Sequence, residues 1–150
     1  MSFFNTMNIS ASGLTAQRMR MDVLASNLAN VDTTRTAEGG PFRRRTVVFE
    51  ERQLGSQSFF DVFNQTLRQQ APGGRGVRVH SIVEDQTDGP RVFDPGHPDA
   101  DAEGYVMRPN VNVVAEMVNM ISASRAYEAN ITAINVTRAM MNRTLEISGR

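Results

Sequence analysis

The residues best suited to chemistry lie in one acidic segment, 94–104. Its carboxylates at Asp99, Asp101 and Glu103 alternate as they do at the start of a calcium-binding loop. The twelfth position of such a loop needs a bidentate glutamate, but Asn110 stands there and no helix pattern precedes the segment. The sequence therefore gives no support to a calcium site.

His97 stands among the carboxylates of the same segment, which raises the question of a different metal. His80 is the only other histidine in the chain, and Pro95 and Pro98 hold the backbone extended. A solvated turn with acidic flanks explains these residues better than a set of metal ligands does. We expect no metal and no cofactor.

Other reactive arrangements are also missing from the sequence. The chain has no cysteine, which excludes disulfides, thiolate metal sites and a cysteine nucleophile. The glycine-rich stretch 72–76 lacks the Lys-Ser/Thr ending of a phosphate-binding loop, and no serine sits in a nucleophile elbow. Arg43–Arg45 could bind phosphate, but Glu50 and Glu51 follow closely, a pattern typical of a strand with charged flanks. We predict that the protein is not an enzyme.

The amino-acid composition limits which classes of protein remain possible. The 150 residues are 40% hydrophobic and carry 16 basic and 16 acidic side chains, a balance that argues against nucleic acid as a partner. No apolar run approaches the roughly 20 residues of a membrane span. The segment Met1–Asn8 lacks the features of a secretory signal. We expect a soluble protein with one modest domain plus extensions, exported, if at all, without a cleaved signal peptide.

The C-terminal third carries the clearest structural pattern, because apolar residues recur there at alternating gaps of four and three. Only Ser124 and Arg138 interrupt this series. A seam of this period is typical of a coiled-coil helix, which must pack against a partner. We therefore assign to subunit packing the apolar members of the series: Val113, Met117, Met120, Tyr127, Ile131, Ile134, Met141 and Leu145.

A second seam near the N-terminus offers that partner. Four residues fall seven apart and Leu24 lies beside them, which predicts a helix over residues 6–31 that packs through Met7, Leu14, Met21, Leu24 and Leu28. The expected fold is mainly α, with long N- and C-terminal helices packed antiparallel in coiled-coil fashion. Segments 1–34 and 110–150 would form the paired helices, and 35–109 a small β-rich insert.

Within the insert, the pattern changes to β-branched and aromatic stretches separated by turn residues. It predicts strands over Arg44–Arg52 and Val77–Glu84 and a short third strand over Arg91–Phe93. Apolar spacing predicts a short helix over Gln57–Gln69. The segment 94–99 is expected to be turn and loop that leads into the C-terminal helix.

Both ends of the sequence resemble a known family. Ala11–Arg18, Asp22–Asn30 and Thr33-Thr34 are similar to the N-terminal signature of bacterial flagellar rod and hook proteins. Further stretches resemble the proximal-rod members of that family: Arg35-Thr36, 38–41, 94–101, 104–106 and 109–127. The motif residues are Asn27, Asn30, Thr33, Thr34, Asp94, Pro95, His97, Pro98, Pro109 and Asn110.

The resemblance implies a structural subunit of the flagellar basal body. Members of the family pass unfolded through the flagellar type III export apparatus and polymerise beyond the inner membrane into the periplasmic rod. The implied partners are other rod proteins, the membrane-ring adaptor protein and further copies of the chain in a helical array. We expect the terminal helices to order fully only on assembly. The alternative, apart from the resemblance, is a soluble coiled-coil adaptor or export chaperone.

Overall fold

In the part of the chain that the structure describes, one long helix precedes four strands and a second long helix follows them. The computed structural model describes residues 3–52 and 75–148. In chain order the elements are α1 (Phe3–Ala29), β1 (Arg45–Arg52), β2 (Gly76–Glu84), β3 (Arg91–Phe93), β4 (Tyr105–Met107) and α2 (Val113–Ser148). The expected arrangement of two terminal helices around a small sheet insert is confirmed. The helix predicted over Gln57–Gln69 lies outside the described residues.

Local hydrogen bonds explain where the helices end and begin. α1 ends at Ala29 because the next residues turn the chain, with Asn30 bonding back to Ser26 and the Thr33 hydroxyl donating to Asn30 Oδ1 at 3.1 Å. α2 begins directly after Asn112, whose Oδ1 accepts the backbone N–H of Ala115 at 3.0 Å. This side chain is an N-cap, which satisfies one of the free N–H groups of the first turn.

The strands form two separate two-stranded sheets. β1 pairs with β2, and β3 pairs antiparallel with β4, with Val92 directly opposite Val106. The three predicted strands are confirmed to within one residue at each end. β4 was not predicted, since three residues preceded by turn formers read as an approach to the helix. Its pairing makes the segment between Phe93 and Tyr105 a hairpin loop.

The chain divides into two compact units. The first unit contains Met1–Gln17, Phe49–Val79 and Arg125–Arg150, and the second contains Arg18–Val48 and His80–Ser124. Among the described residues, the buried apolar side chains larger than alanine all belong to the second unit: Val23, Leu24, Phe42 and Val106. The buried side chains among the described residues of the first unit are small: Ser10, Ser12, Ala16 and Thr137. Of the described parts of the two units, that of the second therefore gains more from apolar burial.

Small residues bring the helices together in the first unit. A Cβ atom at Gly13 would lie 2.8 Å from the Asn130 Oδ1 atom, so any larger residue would require the Asn130 side chain to move. The Ser12 hydroxyl donates to the carbonyl of Ile9 at 2.6 Å and accepts the Val77 N–H at 3.0 Å. In the second unit, Arg20 lies against Asn119 and Asn27 against Glu116, so the helices run antiparallel there.

Neither helix of the described chain is both long enough and apolar enough to cross a membrane.

Gly104 is required by the hairpin, and its replacement provides a test of the loop. Its φ of 82° lies in the left-handed region, and a Cβ atom there would lie 3.0 Å from the Phe93 ring. Gly104→Ala should therefore lower the free energy of unfolding by about 1–3 kcal/mol in urea titrations. Gly96→Ala is the matched control, because its Cβ would meet only Asp94 Oδ1 at 3.7 Å. Equal stability of the two variants would contradict this account of the loop.

Candidate functional site

A buried polar junction lies at the centre of the second unit. Its two most buried side chains are Glu116, which is 1% exposed, and Asn27, which is 0% exposed. The Glu116 carboxylate accepts from Arg44 Nε at 2.7 Å through Oε1 and from Asn27 Nδ2 at 2.9 Å through Oε2. Both carboxylate oxygens are satisfied inside the protein. The junction thus links α1, the segment before β1, and the first turn of α2.

Asparagine side chains hold the backbone of the same segment. Asn27 brackets Arg45, since its Oδ1 accepts the Arg45 N–H at 2.9 Å and its Nδ2 donates to the Arg45 carbonyl at 2.8 Å. Asn110 accepts the Arg44 N–H at 2.7 Å and donates to the Asp85 carbonyl at 3.2 Å. Two of the family-motif residues therefore meet at one place. Their role is to fix backbone positions rather than to perform chemistry.

The energetics of this junction depend on complete pairing. Transfer of a carboxylate out of water costs several kcal/mol unless charge and hydrogen bonds replace the lost solvent. Arg44 supplies the charge and keeps part of its side chain in water, with 29% of it exposed. Both oxygens of Glu116 accept hydrogen bonds, and the side chain is closed to solvent. It has no access to a substrate.

The acidic loop forms a second set of motif contacts in the same unit. The Thr34 hydroxyl donates to Asp99 Oδ2 at 2.8 Å, and the Asp99 N–H donates to His97 Nδ1 at 3.1 Å. Asp101 accepts the N–H groups of Tyr105 and Glu103 through Oδ1 at 2.9 and 3.0 Å. Asp101 is exposed, as expected for a solvated turn, but it and the partly buried Asp99 also hold the loop through these hydrogen bonds. Within the described residues, no group of three or more His, Asp or Glu side chains could hold a metal ion.

Hydrogen bonding shifts the acidity of Asp101. The backbone N–H of Tyr105 is the main cause of a pKa below the ordinary value of 3.8, and the hydrogen bond from Arg91, at 2.7 Å, acts in the same direction. These donors favour the ionised carboxylate.

The predicted seam residues of α2 differ in burial. Met120, Tyr127, Ile134 and Met141 are partly buried, whereas four others are exposed: Val113, Met117, Ile131 and Leu145. On α1, Leu24 is buried, and Met7, Leu14, Met21 and Leu28 are partly buried. Of the ten motif residues, the structure buries Asn27 and Pro109 and leaves Asp94, Pro95 and Pro98 exposed; Asn30, Thr33, Thr34, His97 and Asn110 are intermediate.

Polar and small residues complete the covered face of α2. Glu116, Ala123, Asn130 and Thr137 are seven apart and alternate with the four partly buried seam residues at gaps of four and three. A search for apolar periodicity cannot find these positions, because none carries a large apolar side chain. The repeat of small or polar residues at intervals of seven was the available signal.

The opposite face of α2 carries an exposed apolar patch, which we call the outer patch. It consists of Val114, Met117, Val118 and Ile121, which are between 52% and 71% exposed. The spacing i, i+3, i+4 and i+7 places all four on one side of the helix. Apolar groups clustered in this way on a surface mark an interaction site.

Both ends of the chain match families of flagellar proteins. Residues 7–35 match the family described as flagella basal body rod protein, and residues 102–147 match the C-terminal family of flagellar basal body rod FlgEFG proteins. These matches define a flagellar rod protein, a structural class and not an enzyme.

The curated relatives narrow this to one family. The flagellar basal-body rod protein FlgC of Bacillus subtilis is 47% identical over 98% of this chain and 99% of the relative. FlgC of Borreliella burgdorferi is 46% identical, and FlgC of Escherichia coli O157:H7 is 42% identical, each over 98% of both chains. The chain belongs to the FlgC family of flagellar basal-body rod proteins.

Removal of the buried carboxylate tests the junction. Glu116→Ala leaves Arg44 and Asn27 without their shared acceptor, so the free energy of unfolding should fall by about 3 kcal/mol. Glu84→Ala is the control, since its ion pair with Arg45 is 39% and 47% exposed and should contribute about 0–1 kcal/mol. Chemical denaturation of the purified monomers measures both. Similar losses for the two variants would show that the junction is not a special source of stability.

The acidity of Asp101 predicts a pH dependence of the hairpin. Because the folded-state pKa is lowered, the stabilisation by this carboxylate is present above about pH 3.8 and is lost as the pH falls through the folded-state value. The Tyr105 amide resonance in NMR spectra should shift in that acidic range and stay constant from pH 5 to 7. Asp101→Asn should abolish the shift, whereas an unchanged titration in this variant would assign it to another group.

Proposed function

We propose that this chain is a subunit of the proximal part of the flagellar rod that assembles through the outward faces of its terminal helices and transmits torque. The observation that carries the proposal is the outer patch: an isolated chain leaves Val114, Met117, Val118 and Ile121 in water. Burial of this surface against neighbours would be favourable at about 25 cal/mol per Å². Exposed Ile131 and Leu145, both predicted packing residues, would add to the same subunit contacts.

The division of the core supports a role in which assembly completes folding. Among its described residues, the first unit buries small side chains only, while Phe4, Val136, Met140 and Ile147 are exposed apolar residues. Burial of these small side chains gains little against the entropy of ordering the two helix ends. Contacts with neighbouring subunits would supply the missing apolar surface. Pairing of segments 1–34 and 110–150 as one coiled coil is part of this proposal.

The proposed partners follow from the rod family and from the sequence resemblance. They are other rod proteins, further copies of this chain, the membrane-ring adaptor protein and, during export, the flagellar type III apparatus. The proposed location is the periplasmic rod of the basal body. Neither the matched families nor the relatives support the alternative of an adaptor or export chaperone.

Substitution in the outer patch tests the proposal. Val118→Asp places a charge on a face that is 61% exposed in the isolated chain, so the monomer should keep its stability to within about 0.5 kcal/mol. In an assembled rod the same carboxylate would be buried without a partner and should abolish basal bodies and swarming. Val118→Leu keeps the apolar surface and should assemble. Normal motility of the Val118→Asp strain would refute the proposed contact.

A further inference from the structure

A groove on the β3–β4 hairpin is not used by the packing described so far. It encloses about 330 Å³ and lies wholly within the second unit. Its floor is apolar, because Val92 and Val106 are cross-strand partners and present their side chains on one face. A second cleft of about 320 Å³ shares Thr34 and Val106 with it. We call the first cleft the hairpin groove.

The charged residues that line the hairpin groove do not balance. Arg108 pairs with Asp32 at 3.3 Å, so this arginine is neutralised. The Asp94 carboxylate has no hydrogen-bond or ion-pair partner among the residues that the structure describes. The groove therefore combines an apolar floor with one uncompensated negative charge.

The backbone does not explain why Asp94 carries a carboxylate. The Asp94 N–H already donates to the Gly104 carbonyl, and its carbonyl accepts the His97 N–H, so the main chain is satisfied without the side chain. His97 lines the groove as well, and its Nδ1 is occupied by the Asp99 N–H. Its Nε2 is then the protonated nitrogen and can donate outward. The Asp94 carboxylate and the His97 Nε2–H thus provide one hydrogen-bond acceptor and one donor for a bound partner.

We propose that the hairpin groove receives an arginine side chain from an extended segment of a neighbouring rod subunit. An aliphatic stem can lie along the valine floor while the guanidinium pairs with Asp94, the arrangement that amphipathic cations favour. In this arrangement the Nε2–H of His97, a residue that also lines the groove, donates to the carbonyl of the same segment. The inference rests on the proposed rod assembly and adds to it a contact made by the insert rather than by the helices.

Photocrosslinking from the groove floor tests the inference. The full-length chain with p-benzoylphenylalanine in place of Val92 is expressed in flagellated cells, and purified basal bodies are irradiated. The expected result is an adduct to a peptide of a neighbouring subunit that contains arginine close to the linked residue. An adduct to a peptide without a basic residue, or no adduct in basal bodies that contain the chain, would overturn the inference.

Charge variants show whether the Asp94 carboxylate binds the arginine of the neighbouring subunit. Asp94→Asn should lower the yield of the adduct about fivefold, the effect of losing one partly exposed ion pair, and Asp94→Arg should remove it. Glu103→Arg is the matched control on the same loop, because Glu103 is exposed and does not line the groove. Equal yields in all three variants would contradict the inference.

Two further measurements distinguish a variant that does not fold, a chain that does not enter the rod and a groove that binds no arginine. Thermal unfolding of each purified monomer shows whether a variant still folds, and loss of Asp94→Arg from basal bodies with an unchanged melting curve counts as loss of the contact. A parent chain that is absent from purified basal bodies would refute the proposed function itself. A parent chain that is present without an adduct would refute the groove contact only.

Discussion

The buried carboxylate of Glu116 is the constraint on which the second unit depends. Its two oxygens accept from Arg44 and Asn27, and it is closed to water, so these partners have to be in place whenever the unit is folded. This single requirement positions the first turn of α2, the last turns of α1 and the entry to β1 together. A neutral apolar residue at position 116 could fill the space without imposing that alignment.

The other motif contacts extend the same alignment. Asn27 and Asn110 hold the backbone at Arg44 and Arg45, and Thr34 reaches the acidic loop through Asp99. Each bond is modest, since a hydrogen bond contributes about 1 kcal/mol net, but together they join segments that are far apart in sequence.

The sequence was sufficient for the long elements and insufficient for the covered face of the helices. Apolar periodicity predicts α1 and α2 because those segments repeat their pattern several times, and β-branched or aromatic stretches bounded by turn residues predict β1, β2 and β3. β4 is only three residues long, and its pairing depends on Gly104 and on the hydrogen bonds of Asp101. Periodicity alone also ranks Met117 above Glu116, although Glu116 is buried and Met117 is 52% exposed. Burial of a charge depends on partners distant in sequence, which no local pattern contains.

We propose that the buried junction stabilises the second unit, whereas the helix ends of the first unit become ordered only against neighbouring subunits. Hydrogen exchange of the purified monomer tests it most directly, since exchange rates report local opening along each helix. Backbone amides should exchange slowly at residues 20–29 and 116–124 and rapidly at 5–15 and 128–147. Equally slow exchange along the whole of both helices would contradict it.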